Sequence, residues 1–575
     1  MTNLALTPRR VFSVSIFAAL LVLVIPSGLH GADPEAPRGT GGAVSSAVPK
    51  ATETGLAILE AGGNAVDAAV ATALALAVVH PQAGNLGGGG FAVVRFGDTV
   101  ETLDFRETAP ARATPEMYLD SNGEPKAEAS LVGPLAAGVP GSPSGLFELH
   151  KRYGRLPWQK VVAPSIRLAR DGFVVTRRLE RALTAFADLL RRFPETEAVW
   201  LPHGRPPAAG EVMRLPELAA TLERYSRRGP AAITEGPVAA SIELAVRRHG
   251  GIMVAADLAA YRPVWRMPVR FEAYGWQVAS MPLPSSGGII LGETLGMLQR
   301  LKWETKPRFG ADRFHLLAEV WRRAYADRVL LGDPRTSSAS APQLLDGAWL
   351  DLRAREIRSG KASKSEKILP WSRDLVPESN ETTHLSVMDA EGNAVAMTTT
   401  LNGGFGCGLA VRGAGFFLND EMDDFATAPG VPNLYGLIQG EANSVGPGKR
   451  MLSSMTPTIA WRGNHVIVLG SPGGSRIPNA TAQVLLNLIV DGDELQAAVD
   501  RPRIHHQWMP DVLYVEPYAV SPDTAKVLER RGHRIEVKNR IGEVSAVRGV
   551  AGGLVAASQD PRGPGGGGVV RPAVE

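Results

Sequence analysis

Thr382 begins a stretch whose residue types suit a hydroxyl nucleophile. Residues 382–388 alternate in polarity as a strand does, residues 389–393 have turn composition, and residues 394–401 alternate again. This pattern predicts a β-hairpin. If the two ends of the turn pair with each other, Thr382 lies opposite a second hydroxyl, that of Thr400, although a register slip of one residue would change this partner.

The segment before Thr382 favours self-cleavage. Residues 359–380 are polar, rich in lysine and serine and without periodicity, which is typical of a mobile linker. The Thr382 hydroxyl can attack the carbonyl carbon of Glu381 and form an ester, which water opens to leave a chain that begins with Thr382. The freed α-amine is a base at neutral pH and lies beside the hydroxyl that it activates. Threonines are routine in strands, however, so the hairpin alone does not identify a nucleophile.

A glycine-rich turn further along the chain could stabilise the negative charge of such a reaction. Residues 465–469 are predicted as a strand, residues 470–475 as a turn that includes Gly473 and Gly474, and residues 477–489 as a helix. Backbone N–H groups at a helix start bind anions, and glycine allows close approach. Short strand-to-helix turns are also common without any function.

Metal and nucleotide chemistry find little support in the sequence. Cys407 is the single cysteine, so neither an intramolecular disulfide nor a thiolate zinc site can form, and its glycine-rich turn contains no base. The adjacent His505 and His506 point to opposite faces of a strand, which favours structural roles. The glycine run at 87–90 lacks the lysine of a phosphate loop and precedes a strand, so it indicates close backbone packing.

The elements that must position these residues are partly visible in the pattern. Residues 51–59 have helical spacing, and Asn64 can cap a second helix, residues 65–78, which is apolar nearly all round and should be buried. Strands are predicted at 91–96 and 100–105.

Later segments differ in character. Residues 146–325 are expected to be mostly helical, and residues 281–288 to form a rigid turn before a helix. Residues 561–569, rich in glycine and proline, are expected to be disordered.

Composition and the N-terminus bound the function class. The 575 residues are 44% hydrophobic, which is enough for a large core. The net charge of +3 is too small to indicate binding to nucleic acid or to an anionic membrane. Arg9 and Arg10 precede an apolar run at 11–25, which predicts a signal peptide over residues 1–31 and a periplasmic or secreted protein. The run is short for a membrane span, so the protein would be held at a membrane only if the signal stays uncleaved.

The sequence resembles the γ-glutamyltransferase family over about residues 43–562, in collinear order. Any one of the shared motifs is weak, whereas the ordered set is specific. The motifs are Asn64-Ala-Val-Asp-Ala-Ala, Gly87 to Gly90, Asp104-Phe-Arg-Glu, Gly138-Val-Pro-Gly, Tyr325-Ala-Asp-Arg, Glu378-Ser-Asn-Glu-Thr-Thr-His-Leu-Ser-Val, Asp389-Ala-Glu-Gly-Asn-Ala-Val-Ala, Thr398-Thr-Thr-Leu-Asn, Asn419-Asp-Glu-Met-Asp-Asp-Phe, Pro429-Gly-Val-Pro-Asn-Leu-Tyr-Gly, Lys449-Arg-Met-Leu-Ser-Ser-Met, Gly470-Ser-Pro-Gly-Gly-Ser-Arg and His505-His-Gln-Trp.

The resemblance implies a role for each matching residue. Thr382 matches the nucleophile, Thr400 the hydroxyl that orients it, and Gly473 with Gly474 the oxyanion hole. The substrate-binding positions are Arg106, Ser453 and Ser454 for the α-carboxylate, Asn402, Glu421 and Asp424 for the α-ammonium, and Tyr435 in a lid over the site. Taken without the family, Arg106 would be interpreted as a structural ion pair and Asp424 as part of a solvated turn.

The family also implies a fold and a reaction. The fold is α+β, a four-layer αββα sandwich of the N-terminal nucleophile hydrolase type, built from both fragments of a self-cleaved precursor. We therefore expect cleavage between Glu381 and Thr382, a large subunit at 32–381, and a small subunit at 382–575 that forms a heterodimer with it. Thr382 would move the γ-glutamyl group of glutathione and related compounds, through a threonyl ester, to water or to an amino acid or peptide. No metal or organic cofactor is implied.

Two alternatives stay open at this point. Glutaryl-type (cephalosporin) acylases and poly-γ-glutamate-processing enzymes share the fold. An α-amino acid head group is favoured over a bare glutaryl chain by the retention of Arg106, Asn402, Asp424, Ser453 and Ser454. A non-catalytic binding protein that is never processed is a rival of another class. The intact pair of Thr382 and Thr400 argues against it.

Overall fold

In a computed structural model of the chain, the described residues are 35–126, 128–369, 382–426 and 440–570. The predictions for the signal peptide, for Glu381 and for Tyr435 with its lid lie outside these residues.

Eighteen helices are distributed along the described part of the chain. They are α1 (Pro49–Glu60), α2 (Ala65–Val79), α3 (Ser142–Tyr153), α4 (Trp158–Asp171), α5 (Arg177–Ala185), α6 (Ala187–Arg191), α7 (Pro194–Trp200), α8 (Pro216–Arg228), α9 (Ala231–Thr234), α10 (Gly236–Arg248), α11 (Ala255–Ala260), α12 (Gly287–Arg300), α13 (Ala311–Asp327), α14 (Ala341–Leu344), α15 (Gly347–Arg355), α16 (Ile477–Ile489), α17 (Leu495–Asp500) and α18 (Pro522–Arg531).

Nineteen strands accompany these helices within the same described residues. They are β1 (Arg38–Gly39), β2 (Gly42–Ser46), β3 (Gly89–Phe96), β4 (Thr99–Asp104), β5 (Phe173–Val174), β6 (Val212–Met213), β7 (Val264–Arg266), β8 (Val269–Ala273), β9 (Trp276–Ser280), β10 (Thr383–Asp389), β11 (Ala394–Thr400), β12 (Thr458–Arg462), β13 (His465–Gly470), β14 (Ile504–His505), β15 (Leu513–Val515), β16 (Ile535–Val537), β17 (Ser545–Val550), β18 (Val555–Ala557) and β19 (Gly566–Val569).

Two seven-stranded antiparallel sheets form the centre of the fold. Sheet I has the strand order β19-β2-β10-β11-β3-β4-β7, and sheet II has the order β1-β18-β17-β13-β12-β9-β8. Each sheet contains strands from before and from after residue 382. In sheet I, β2 lies between β19 and β10, so strands from distant parts of the chain alternate.

Helices cover the outer faces of both sheets. Helices α1 and α2 contact sheet I, α12 and α16 contact sheet II, and β10 of sheet I packs on β13 and β17 of sheet II. Separate apolar clusters fill the two helix–sheet layers, and a third, which includes Val93, Ala396 and Val468, lies between the sheets. This is the predicted αββα arrangement.

The start of α2 follows from one side chain. The Asn64 side chain accepts hydrogen bonds from the N–H groups of Val66 and Asp67, and the Asp67 carboxylate accepts one from the N–H of Asn64. This reciprocal cap satisfies donors that a helix start leaves unpaired. Every residue of α2 is buried, as its apolar composition predicts.

The predicted hairpin has the predicted register. Thr383 pairs with Thr399, and the N–H of Asp389 donates to the carbonyl of Asn393 at 3.0 Å. One step beyond the ladder, this register puts Thr382 beside Thr400. Strand β11 pairs on its other side with β3, so the hairpin lies inside sheet I and is held from both sides.

Two expectations need correction. The segment 561–569 is not disordered as predicted, because Gly566–Val569 forms β19 and pairs with β2. A side chain at Gly567 would lie 2.5 Å from the carbonyl oxygen of Ser558, so the glycines allow close strand approach. Within the mostly helical region before residue 325, β7, β8 and β9 were not predicted.

The first part of the predicted linker is anchored rather than mobile. Ser365 is buried, and its N–H donates to the Asp511 carboxylate at 2.9 Å. Among the described helices, none has the length and apolar character needed to cross a bilayer.

Candidate active site

Nine of the residues singled out by sequence surround one small cleft between the ends of the two sheets. The cleft is lined by Arg106, Arg328, Thr382, Thr400, Asn402, Glu421, Asp424, Ser453, Ser454, Met455, Gly474 and Ile477. Its predicted members come from six separate segments of the chain, so the fold brings together residues that the sequence could only relate by family pattern. Gly473 belongs to the same turn as Gly474 without lining the cleft itself.

Thr382 lies immediately before β10 and is buried. On the neighbouring strand, the Thr400 hydroxyl accepts a hydrogen bond from the N–H of Asn402 at 2.7 Å. That bond fixes the hydroxyl at the end of β11, next to the position of Thr382. The Asn402 side chain in turn donates to the carbonyl of Asp420 at 3.1 Å.

Asn402 has a left-handed backbone conformation, with φ of +73°. Asparagine tolerates this region better than most residues, and such conformations concentrate where structure serves a site. The chain turns sharply there, from the end of β11 towards the buried segment that carries Glu421 and Asp424.

Arg106 follows β4 and is fully buried at the floor of the cleft. Its Nη1 lies 2.5 Å from a Glu421 carboxylate oxygen, its Nη2 donates to Asp424, and its Nε donates to the carbonyl of Met451 at 3.4 Å. All three nitrogens are therefore engaged. Two carboxylates and one guanidinium share a pocket that water barely reaches.

The low polarity of this pocket changes the acid–base properties of its groups. Burial alone would lower the pKa of Arg106, but Glu421, Asp424 and Glu107 raise it overall. Burial raises the pKa of Glu421 well above its usual range, with Arg106 opposing. Burial also raises the pKa of Glu107 to about 8. Three carboxyl groups therefore adjoin one guanidinium, and a second cation in the cleft would favour the ionised forms of Glu421 and Glu107.

Ser453 and Ser454 line the same cleft. The Ser453 N–H donates to the carbonyl of Pro284 at 2.8 Å, and its carbonyl accepts from the N–H and the hydroxyl of Ser286, both at 2.8 Å. The Ser454 hydroxyl is buried and has no hydrogen-bond partner within the described residues. It is a donor available to an acceptor in the cleft.

The turn between β13 and α16 has the predicted form. Gly473 and Gly474 have φ of +127° and +56°, a region that glycine adopts at no steric cost. The turn leads into α16, which begins at Ile477 as predicted. Gly474 lines the cleft, so its backbone can lie near a developing oxyanion at Thr382.

Arg328 was not singled out as a site residue. It is buried, lines the cleft, and is the last residue of the Tyr325-Ala-Asp-Arg motif. The motif was visible in the sequence, but an arginine at the end of a helical pattern is ordinarily a capping or surface residue. Only the tertiary structure brings it beside Thr382.

Other candidate reactive groups lie elsewhere. Cys407 is buried, which raises the pKa of its thiol to about 12 and disfavours the thiolate. His505 contacts Asn479 and Gln507, and His506 contacts Arg322, so both have partners inside the protein.

A cluster of His315, Glu319 and His533 has ligand atoms within 4.8 Å of one another. The two rings already share a hydrogen bond of 2.8 Å, and Glu319 is paired with Arg322 and Arg323. These two cations disfavour a metal ion at this position.

The geometry supports covalent acyl transfer on a zwitterionic head group. A hydroxyl at a strand start, a second hydroxyl beside it and a glycine turn supply the parts of a nucleophilic site. A carboxylate could reach Arg106 and Ser454, and an ammonium could reach Glu421 and Asp424, because all four side chains line the same cleft.

Comparisons with known proteins agree with this geometry. A family model described as gamma-glutamyltranspeptidase matches residues 51–570. The glutathione hydrolase proenzyme of Escherichia coli is 43% identical over 527 residues, which cover 91% of this chain and 90% of that protein.

Two solved structures resemble the fold. The cephalosporin acylase from Bacillus halodurans has a TM-score of 0.83 at 28% identity, covering 95% of this chain and 99% of its own. The gamma-glutamyltranspeptidase of Helicobacter pylori has a TM-score of 0.55 at 36% identity, covering 56% of this chain and 93% of that one.

Proposed function

This chain belongs to the gamma-glutamyltranspeptidase family, and from that premise we propose that it is a self-processing γ-glutamyltransferase and glutathione hydrolase. The observation that carries the proposal is that Thr382 lines the same cleft as Arg106, a buried arginine paired with Glu421 and Asp424. A γ-glutamyl compound carries the complementary pair, an α-carboxylate and an α-ammonium. Few other acyl donors carry both charges on one carbon.

The first step is the maturation of the precursor. The Thr382 hydroxyl attacks the carbonyl carbon of Glu381, the peptide C–N bond breaks, and the nitrogen takes up a proton as an amine. Water then hydrolyses the ester, leaving a carboxylate on Glu381 and a free α-amine on Thr382. Residues 32–381 and 382–575 become the large and small subunits of a heterodimer.

Catalysis then uses the new amine. It takes the proton of the Thr382 hydroxyl as the oxygen attacks the γ-carbonyl carbon of the donor, and Thr400 orients the attacking oxygen. The N–H groups of Gly473 and Gly474 stabilise the oxyanion. The amine returns the proton to the leaving amine, here that of Cys-Gly, and a threonyl ester remains. Water or the amine of an amino acid or peptide then takes the γ-glutamyl group.

The charged residues of the cleft select the donor. Arg106, Ser453 and Ser454 bind the α-carboxylate, because a guanidinium grips two carboxylate oxygens. Asn402, Glu421 and Asp424 bind the α-ammonium, because their amide and carboxyl oxygens replace the water that it loses. Tyr435 belongs to a lid that limits access of water.

The remaining proposals concern the setting of the enzyme. Residues 1–31 direct export, and the mature protein works in the periplasm or outside the cell. No step in this mechanism requires a metal or an organic cofactor.

N-terminal sequencing of the purified protein tests this proposal. We expect one fragment to begin at Thr382, and Thr382→Ala to remain a single full-length chain with γ-glutamyl hydrolysis reduced at least about 10⁴-fold. Full activity from an uncut chain would contradict the mechanism.

A glutaryl-type acylase is the second candidate, favoured by the whole-chain likeness to the Bacillus halodurans acylase. Comparing the hydrolysis of γ-glutamyl-p-nitroanilide and glutaryl-p-nitroanilide separates the two, since the glutaryl group lacks the α-ammonium. We expect the γ-glutamyl compound to be strongly preferred. Equal or faster turnover of the glutaryl compound would favour the acylase.

A further inference from the structure

Arg328 is a second guanidinium in the cleft, and its surroundings differ from those of Arg106. It follows α13, is 2% exposed, and lines the cleft together with Thr382 and Ser454. Its Nε donates to the hydroxyl of Ser286 at 3.1 Å. Its Nη1 is buried and has no hydrogen-bond partner among the described residues.

This lack of an acceptor is unusual for a buried cation. Each nitrogen of Arg106 is engaged by a carboxylate or a carbonyl, whereas Arg328 forms no ion pair with any described residue within 4.0 Å. Burial accordingly lowers the pKa of Arg328 to about 10, although Asp424 acts in the opposite direction. A buried donor without a partner destabilises the fold, and a donor that lines a cleft can be satisfied by an acceptor on a ligand.

Near Arg328, the cleft contains a second buried donor without a partner among the described residues, the hydroxyl of Ser454. Ser286, which accepts from Arg328, donates its own hydroxyl to the carbonyl of Ser453 at 2.8 Å. The next residue, Ser454, has a buried hydroxyl that also lacks a partner in the described chain. Two unsatisfied donors therefore belong to one hydrogen-bonded wall of the cleft, and together they match the two oxygens of a carboxylate.

We propose that Arg328 binds the α-carboxylate of the donor together with Arg106 and thereby sets specificity for donors that carry this group. The assignment rests on the proposed function, because it takes a γ-glutamyl compound as the donor. Arg106 is already held by Glu421 and Asp424, so it alone cannot offer a carboxylate its full set of N–H groups. Arg328 supplies a free Nη1 N–H together with a positive charge that is not in an ion pair with any described carboxylate.

A positioning role is the competing explanation. Arg328 could act only through Ser286, by holding the Ser453–Ser454 segment in place. In that case its loss would impair every donor alike, and removal of the Ser286 hydroxyl would have a similar effect. Direct contact predicts instead that the effect depends on whether the donor has an α-carboxylate.

The test compares two donors on the mature enzyme. One is L-γ-glutamyl-p-nitroanilide, and the other is 4-aminobutyryl-p-nitroanilide, which keeps the ammonium but lacks the α-carboxylate. For Arg328→Gln we expect kcat/KM to fall about 10- to 100-fold on the first donor, mostly through KM, and less than about threefold on the second. An equal fall on both donors, or no fall on the first, would overturn the proposal.

Two further variants keep the result decisive. Ser286→Ala removes the hydroxyl but leaves the guanidinium, and we expect a fall of less than about threefold on the γ-glutamyl donor. A fall as large as that of Arg328→Gln would indicate the positioning role. If Arg328→Gln fails to mature, Arg328→Lys decides the matter by the same donor comparison, since it keeps the charge but not the planar fork.

Failure of the proposed function would look different. A parent protein that is cleaved before Thr382 yet does not release p-nitroaniline from the γ-glutamyl compound would contradict the function itself. A parent that turns this donor over, with an Arg328→Gln variant that does so equally well, would contradict only the role of Arg328.

Discussion

Glu107 and Glu319 are both fully buried carboxyl groups, but Glu319 has several hydrogen-bond partners and Glu107 has none among the described residues. Glu319, on α13, accepts hydrogen bonds from Arg322, from Arg323 at 2.9 Å, and from the N–H and hydroxyl of Ser363 at 2.9 and 2.5 Å. Neither oxygen of Glu107 has a hydrogen-bond partner in the described residues, and its ion pair with Arg106 spans 3.6 Å.

Their acid–base properties diverge accordingly. Burial would raise the pKa of Glu319, but Arg322 and Arg323 lower it to about 2. Burial raises the pKa of Glu107 to about 8, because the lowering effect of the Arg106 charge is smaller than the effect of burial. The network around Glu319 is arranged for stability, whereas the cluster around Arg106, which lines the cleft, leaves Glu107 without a hydrogen-bond partner among the described residues. Substitutions should therefore affect stability in one region and activity in the other.

The largest expected stability effect is that of Glu319→Gln. It removes the charge between two buried guanidinium groups and should cost about 3 kcal/mol of unfolding free energy at pH 7. The free energy can be followed by the thermal midpoint of the mature protein, with kcat/KM within about twofold of the parent. Loss of activity with an unchanged midpoint would break the contrast between the two regions.

The pH dependence of that variant sharpens the prediction. Because the folded pKa of Glu319, about 2, lies below the ordinary value of 4.5, its contribution is complete above pH 4.5 and lost as the pH falls through 2. The difference in midpoint between parent and variant should shrink over this window. A difference that stays constant would assign the effect to packing.

A matched pair of arginine substitutions compares the regions directly. Arg106→Lys should lower kcat/KM for a γ-glutamyl donor about 10- to 100-fold, because an ammonium cannot reproduce the planar two-point contact. Arg323→Lys, in the Glu319 network, should lower the thermal midpoint and leave kcat/KM within about twofold. If Arg106→Lys lowered only the thermal midpoint and Arg323→Lys lowered only kcat/KM, the roles assigned to the two regions would be wrong.

Glu107→Gln should change the stability of the protein in the opposite sense to Glu319→Gln. Because the folded pKa of Glu107 is raised from 4.5 to about 8, ionisation costs stability progressively as the pH rises between these values. The variant cannot ionise, so its free energy of unfolding should exceed that of the parent by an amount that grows from pH 5 to pH 8. A midpoint difference that falls with pH would refute the raised pKa.

The local features of the fold were the ones visible in the sequence. The cap at Asn64, the register of the hairpin after Thr382 and the start of α16 at Ile477 depend on residues close to one another in the chain, and all three predictions are confirmed. Strand β19 was missed because its partner, β2, lies more than five hundred residues earlier. Glycines are as typical of disordered tails as of strands that pack closely.

The hairpin of β8 and β9 did leave a local signal. Tyr274 and Gly275, at its turn, have φ of +50° and +74°, the conformation of a two-residue hairpin turn. Polar and apolar residues alternate on both sides of this pair, although the surrounding region is mostly helical. Arg328 was different, because no spacing relates it to Thr382. Its place in the cleft depends on how α13 packs in the whole molecule.

The alternation of strands from before and after residue 382 has a practical consequence. If the two pieces were encoded by separate genes, neither would contain a complete sheet, and each would expose unpaired strand edges until it met the other. Assembly would then depend on concentration, and chaperone demand would rise before any activity appeared. One continuous reading frame avoids this hazard, since it delivers both halves in equal amounts and at the same place.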